Sequence, residues 1–152
     1  MIHQKEFITA SLTVKLGNAV TYYRNMKMED IGLTSIQSDA LIAMLRNPEI
    51  TASQLKEHLN LSQSTVAGII ERLESKGLIA KISDAGDARK THRVPTEKGR
   101  ALEPTLREIA LDIQNALLSG MQPGEQAEFA RLLGTALENM NAARKYTPQT
   151  PD

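Results

Sequence analysis

At 152 residues, 41 % of them hydrophobic and 24 % charged, the chain has the composition of a globular protein with a core of its own, and one folded unit is expected. It contains no cysteine, which excludes a disulfide framework, a thiolate zinc site, a thiol nucleophile and a thiol redox switch. The formal net charge is zero, no run approaches the roughly 18 apolar residues of a membrane span, and Met1-Ile2-His3-Gln4-Lys5-Glu6 lacks the apolar core of a secretion signal, so a cytoplasmic location with no membrane partner is expected.

Phe7, Ile8, Leu12, Leu16, Ala19, Val20 and Tyr23 recur at three- and four-residue spacings, which predicts a first helix from about residue 5 to the mid-twenties. Thr34-Ser35-Ile36-Gln37 has the form of a capping box and opens a second helix with its stripe on Ile36, Ala40, Leu41, Met44 and Leu45; Asn47-Pro48 stops it. Thr51-Ala52-Ser53-Gln54 repeats the capping box ahead of a short helix that buries Ala52, Leu55 and Leu59 and ends near Asn60. Ser62 caps the next helix, where Val66, Ile69, Ile70 and Leu73 fall on one face and Gly77 suits the C-terminal end.

Leu78 to Ser83 and Lys90 to Val94 alternate as two short strands around Asp84-Ala85-Gly86-Asp87, and Pro95, unable to donate to a ladder, is expected to end the second. Thr96 caps a long helix of about six turns through Leu102, Leu106, Ile109, Ala110, Ile113 and Leu117, which Gly120 closes. Pro123 then starts a final amphipathic helix carrying Phe129, Leu132, Leu133, Ala136, Leu137 and Met140, and the polar, proline-spaced residues 147–152 are expected to be a disordered tail.

Zero net charge hides a separation along the chain. From Arg72 to Arg100 there are eight basic residues against four acidic ones, and from residue 101 onward four basic against seven acidic. From Thr51 to Gly99 two helices are joined by a short turn, the second followed at once by a hairpin: a helix-turn-helix with a wing, in a mainly α fold with one small β-hairpin, and the basic stretch takes in the wing. A recognition helix reads base edges with its outward N-terminal residues, here Gln63, Ser64, Ala67, Gly68 and Glu71. Small side chains at 64, 67 and 68 let the backbone approach DNA while Gln63 and Thr65 hydrogen-bond. In the wing, Arg89, Lys90, His92 and Arg93 follow a tight acidic turn, a placement that sends an arginine into a minor groove while its neighbours hold phosphates; Asp84 and Asp87 are expected to orient Arg89. With Ser53, Ser62, Arg72, Asp87 and Thr91, these residues complete the candidate DNA contacts.

The chain resembles the MarR family of bacterial transcriptional regulators in helix order and, most specifically, in two segments. One runs from Leu61-Ser62-Gln63-Ser64-Thr65-Val66 to Glu71-Arg72-Leu73-Glu74-Ser75-Lys76-Gly77-Leu78-Ile79; the other is the wing from Asp84 through Asp87-Ala88-Arg89 to Thr96-Glu97-Lys98-Gly99. The resemblance implies a winged helix-turn-helix homodimer. The dimerisation helices would span about 5–28 and 97–146, the DNA-binding lobe about 34–96, and the whole 1–146 would form one regulator, a repressor on an inverted-repeat operator. It also implies, in many members, a small aromatic or phenolic ligand that weakens DNA binding. Arg93 and Pro95 depart from the family pattern, standing where the returning strand usually carries aliphatic residues, which leaves the extent of that strand open.

A ligand cavity between the dimerisation helices and the lobe would draw on Leu16, Val20, Tyr23, Met44 and Leu45, with the Tyr23 hydroxyl and the Arg24 charge as polar handles; the same stripe also reads as ordinary core. No cofactor and no metal are expected: His3, His58 and His92 lack metal-ligand spacing, and no nucleophile-elbow, phosphate-loop or dinucleotide motif is present, which argues against an enzyme. A winged helix can also serve as a protein-protein adaptor, a reading the basic wing disfavours, and 3 % aromatic residues offer few platforms for single-stranded bases.

Overall fold

The structure is a computed structural model that describes residues 7–87, 89 and 91–145; Lys5, Lys90 and the 147–152 tail lie outside the described residues. The chain divides into two compact units, the first ending at Gln114 and the second beginning at Asn115.

The first unit opens with α1 (Ile8–Met28), of which only Met28 is buried. A single 3-10 turn, Glu29–Ile31, ends on Gly32 at φ 66°, a left-handed conformation that favours glycine. Helix α2 (Ser35–Arg46) starts at the expected capping box: the Gln37 amide donates to Thr34 Oγ1 while the Gln37 side chain accepts from the Thr34 amide. Helix α3 (Ala52–Leu59) begins with the same device at Thr51 and Gln54 and ends on Asn60 at φ 59°. Helix α4 (Gln63–Ser75) is capped by Ser62, whose Oγ accepts from the Thr65 amide. A two-stranded antiparallel hairpin follows, β1 (Ile79–Ser83) with β2 (Thr91–Pro95), in the register Ile79↔Pro95 to Ser83↔Thr91.

The winged helix-turn-helix expected from sequence is therefore present, with two refinements. Pro95 is the last residue of β2, not the first beyond it, and is buried. The long helix expected from Thr96 is two, α5 (Glu97–Ala101) and α6 (Glu103–Leu118), parted at Leu102. Pro104 explains the break: it has no amide proton for the Arg100 carbonyl and its ring crowds that carbonyl, whereas the first turn of a new helix accepts proline readily.

The core of this unit is built from Leu41 and Met44 of α2, Leu55 of α3, Val66, Ile69, Ile70 and Leu73 of α4, Leu78 and Ile79 at the wing base, and Leu106 and Ile109 of α6. Each such side chain contributes on the order of 1.5–3 kcal/mol on burial, so α4 is fixed by its four apolar residues and not by helix propensity. Buried Ser38 is satisfied by the Ser35 carbonyl, and the Ser35 amide by Asn25 Oδ1 at 2.8 Å.

In the second unit, Gly120 turns at φ 82° and α7 (Pro123–Lys145) begins, with the Gln122 amide donating to Glu125 Oε2. None of the residues of α7 is buried, and Leu132, Leu133, Leu137 and Met140 are exposed. No helix among the described residues is long and apolar enough to cross a membrane.

Candidate nucleic-acid interface

Helix α4 turns its apolar side to the core, which leaves Ser64, Ala67 and Glu71 exposed on the opposite side with Gly68 half-buried among them. An added Cβ on Gly68 would meet nothing within 4 Å, so this part of the helix is a bare stretch of backbone. At its N-terminus the Ser62 hydroxyl lies 2.7 Å from Thr65 Oγ1 and 3.2 Å from Ser64 Oγ. Both hydroxyls join the cap, and Gln63 is the long polar side chain at that end. Gln63 and Ala67 share a crevice of about 430 Å³ with Ser53 and Lys56 of α3. Arg72 is exposed in the last turn, on the helix edge away from that crevice.

The wing is held by its own acids. The Gly86 amide donates to Asp84 Oδ1 at 2.9 Å, and His92 Nε2 stands 3.4 Å from Asp84 Oδ2. These two partners, the Gly86 amide first, hold the Asp84 carboxyl below its ordinary range. Asp87 Oδ1 accepts from the backbone amide of Arg89 at 3.0 Å. The acids thus shape the turn: Asp87 holds Arg89 by its backbone amide, and among the described residues no carboxylate pairs with the Arg89 guanidinium, which is exposed near the tip. Arg93 differs in kind. It is half-buried, and its Nε donates to Glu74 Oε2 at 3.2 Å.

The lower end of α4 is tied down by groups the sequence did not single out. Lys76 Nζ donates to the Gly32 carbonyl and, at 3.3 Å, to Gln37 Oε1, while Lys98 Nζ donates to the Lys76 carbonyl at 2.8 Å. Of the five residues proposed to line a ligand cavity, Met44 is buried beside a hollow shared with His92, Leu45 lines a different one beside Leu106 and Arg107, and Leu16, Val20 and Tyr23 are half-buried on α1. Met44 and Leu45 thus face separate spaces. Arg24 is paired with Asp39 and donates to the Ser35 carbonyl at 3.4 Å, so its charge is spent within the fold.

The model of the MarR family matches residues 31–90, which takes in α2, the helix-turn-helix and the wing turn. The HTH-type transcriptional repressor NicR of Pseudomonas putida is 30 % identical over 110 residues, covering 72 % of this chain and 70 % of that protein. The chain belongs to the MarR family of transcriptional regulators. Its fold agrees along almost its whole length: a MarR transcriptional regulator from Methanosarcina mazei Go1 superimposes with a TM-score of 0.78 at 28 % identity, over 91 % of this chain and 99 % of that one. Another relative is Bordetella bronchiseptica BpsR, whose DNA binding is regulated by 6-hydroxynicotinic acid; it is 26 % identical with a TM-score of 0.77, over 90 % and 96 % of the two chains. MarR-family proteins are transcriptional regulators and not enzymes. Within this MarR-family chain, Arg93 in β2 is partnered by Glu74 of α4.

Proposed function

We propose that this MarR-family regulator is a repressor that binds a specific inverted-repeat site in double-stranded DNA as a homodimer. Helix α4 enters the major groove with Gln63, Ser64, Ala67 and Gly68 against base edges, Ser62 and Arg72 meet the backbone, and Ser53 at the start of α3 meets the neighbouring phosphates. The wing brings Arg89 to the minor groove, flanked by Thr91 and His92. The observation that carries this reading is the pairing of a bare, outward-facing recognition helix with a turn whose acids are occupied by backbone and His92, while among the described residues no carboxylate pairs with the Arg89 guanidinium.

Dimerisation is supported by apolar residues that the single chain leaves uncovered: Ile8, Leu12 and Val14 on α1, and Leu132, Leu137 and Met140 on α7, all more than half exposed. Two-fold symmetry then sets the two recognition helices about one turn of DNA apart, roughly 34 Å.

Control by a small aromatic acid is supported by the relative regulated by 6-hydroxynicotinic acid. In this chain the hollow of about 310 Å³ beside Leu45 has an apolar floor of Ile42, Leu106 and Ala110 and, at its edge, two cations, Arg46 and Arg107, against one carboxylate, Glu103, which leaves a net positive charge for an acid. Fluorescence anisotropy with duplexes covering the DNA that flanks the chain's own gene tests the reading. Saturable binding to one duplex that survives competitor DNA, and is weakened about tenfold or more by Arg89→Ala, is expected. Equal affinity for every duplex, or none, points to an adaptor instead.

A further inference from the structure

Glu74 stands on α4 and Arg93 on β2, and the bond from Arg93 Nε to Glu74 Oε2 is the side-chain hydrogen bond that joins the returning strand of the wing to the recognition helix among the described residues. Each side chain is 38 % exposed, so the pair sits at the rim of the core and not on open surface. Arg93 also lines two hollows, of about 430 and about 270 Å³, each shared with Ala52 and Ile70, so its stem stands between α3, α4 and the wing as a partition. In the register of the hairpin it faces Lys81, which is exposed.

A two-stranded hairpin on its own is a compliant element. Helix α4 and the wing tip have to meet two different grooves at once, so their relative angle decides whether both contacts form together. An aliphatic residue at 93 would set that angle by packing into the hollows; an arginine sets it by covering the apolar wall with its stem and fixing its planar head on a carboxylate. A guanidinium neutralised by Glu74 adds little attraction for phosphate.

We propose that Arg93 is a positioning residue and not a phosphate contact: with Glu74 it fixes the wing at the angle to the recognition helix at which both grooves are engaged. This rests on the DNA-binding reading above.

The test begins by selecting a high-affinity duplex from a random-sequence pool with the full wild-type chain. Affinity for that duplex and for a scrambled one is then measured over a range of salt for wild type, Arg93→Ala, Glu74→Gln and the double variant. Urea unfolding of the same four proteins without DNA runs alongside. The proposal expects Glu74→Gln to lower affinity for the selected duplex about threefold to tenfold even though it removes a negative charge beside a polyanion. Arg93→Ala should do the same and the double variant no worse, with the salt slope and the scrambled-duplex affinity unchanged and a coupling between the two sites in urea. A salt slope reduced by about 0.9 in Arg93→Ala, with both duplexes bound more weakly by that variant and more tightly by Glu74→Gln, makes Arg93 a phosphate contact and overturns the proposal. Additive effects in urea overturn it too, as does unchanged affinity in both single variants. If wild type enriches no duplex, the DNA-binding reading falls and this assignment with it; enrichment followed by any of the contrary results removes only the assignment.

Discussion

The carbonyl oxygen of Leu78 lies 2.2 Å from where a Cβ on Gly99 would stand. That carbonyl accepts the Thr96 amide at 3.0 Å, and the Thr96 hydroxyl in turn donates to the Gly77 carbonyl at 2.6 Å and accepts the Gly99 amide at 3.1 Å. The strand entering the wing and the helix leaving it are therefore pinned together on both sides of the contact, and neither can yield to an added methyl. Alanine inside a helix is normally worth up to about 1 kcal/mol over glycine. Gly99→Ala is expected to reverse that sign and cost about 1–3 kcal/mol, read as a lower urea midpoint with an unchanged slope. A midpoint that rises would contradict the close approach.

Gly68 gives the opposite case. It is helical, has no positive φ, and has open space where a Cβ would go. Gly68→Ala should therefore stabilise the free protein by about 0.5–1 kcal/mol. If the bare stretch of α4 lies against a groove, the same methyl should weaken operator binding, and Gly68→Leu should weaken it further. Thermal melts and binding curves on the two variants check this together; a stability gain with full operator affinity would take Gly68 out of the interface.

The Asp84 turn sets a pH prediction. Its carboxyl is held below the ordinary value of 3.8 by the Gly86 amide and then by His92. Because the folded value lies below the unfolded one, the turn's contribution is complete above the ordinary carboxylate range and is lost as pH falls through the lowered value. An NMR titration of the Asp84 side-chain carboxyl should give a midpoint under 3.8, with the Gly86 amide resonance moving at the same pH. A midpoint at or above the ordinary value would mean that Asp84 does not organise the wing.

Much of this architecture was legible in the sequence because it is specified locally. The Thr34/Gln37 and Thr51/Gln54 capping boxes form as written, and Val66, Ile69, Ile70 and Leu73 are all buried. Pro104 was equally local, yet the unbroken apolar spacing around it concealed the interruption at Leu102. The partners of the charged groups were not legible. Arg93 meets Glu74, Lys76 meets Gly32 and Gln37, and Arg24 meets Asp39 only because the fold brings separate elements side by side, which charge patterning along one chain cannot reveal. The wing acids were recognised as organisers, but their targets, a backbone amide and an imidazole, depend on the turn's conformation.

Gln63 and Arg89 should separate base reading from general affinity. Gln63 is exposed at the start of α4, next to hydroxyls already committed to the cap, so Gln63→Ala should relax preference at one base pair by about 1–3 kcal/mol and leave the salt dependence unchanged. Arg89→Ala, by removing the cation from the minor groove, should weaken binding strongly without altering the preference at the base pair that Gln63 reads. Competition binding against a panel of single-base-pair variants distinguishes the two; a Gln63 variant with an unaltered preference profile would assign specificity elsewhere on the helix.

Hydroxyl-radical footprinting of the wild-type chain on the DNA flanking its own gene tests the central claim most directly. The account predicts one protected site with two-fold symmetry, its half-sites about 10 base pairs between centres and protection extending into the flanking minor grooves where the wings lie. Protection of a single half-site without symmetry, or uniform protection that competitor DNA removes, would contradict it.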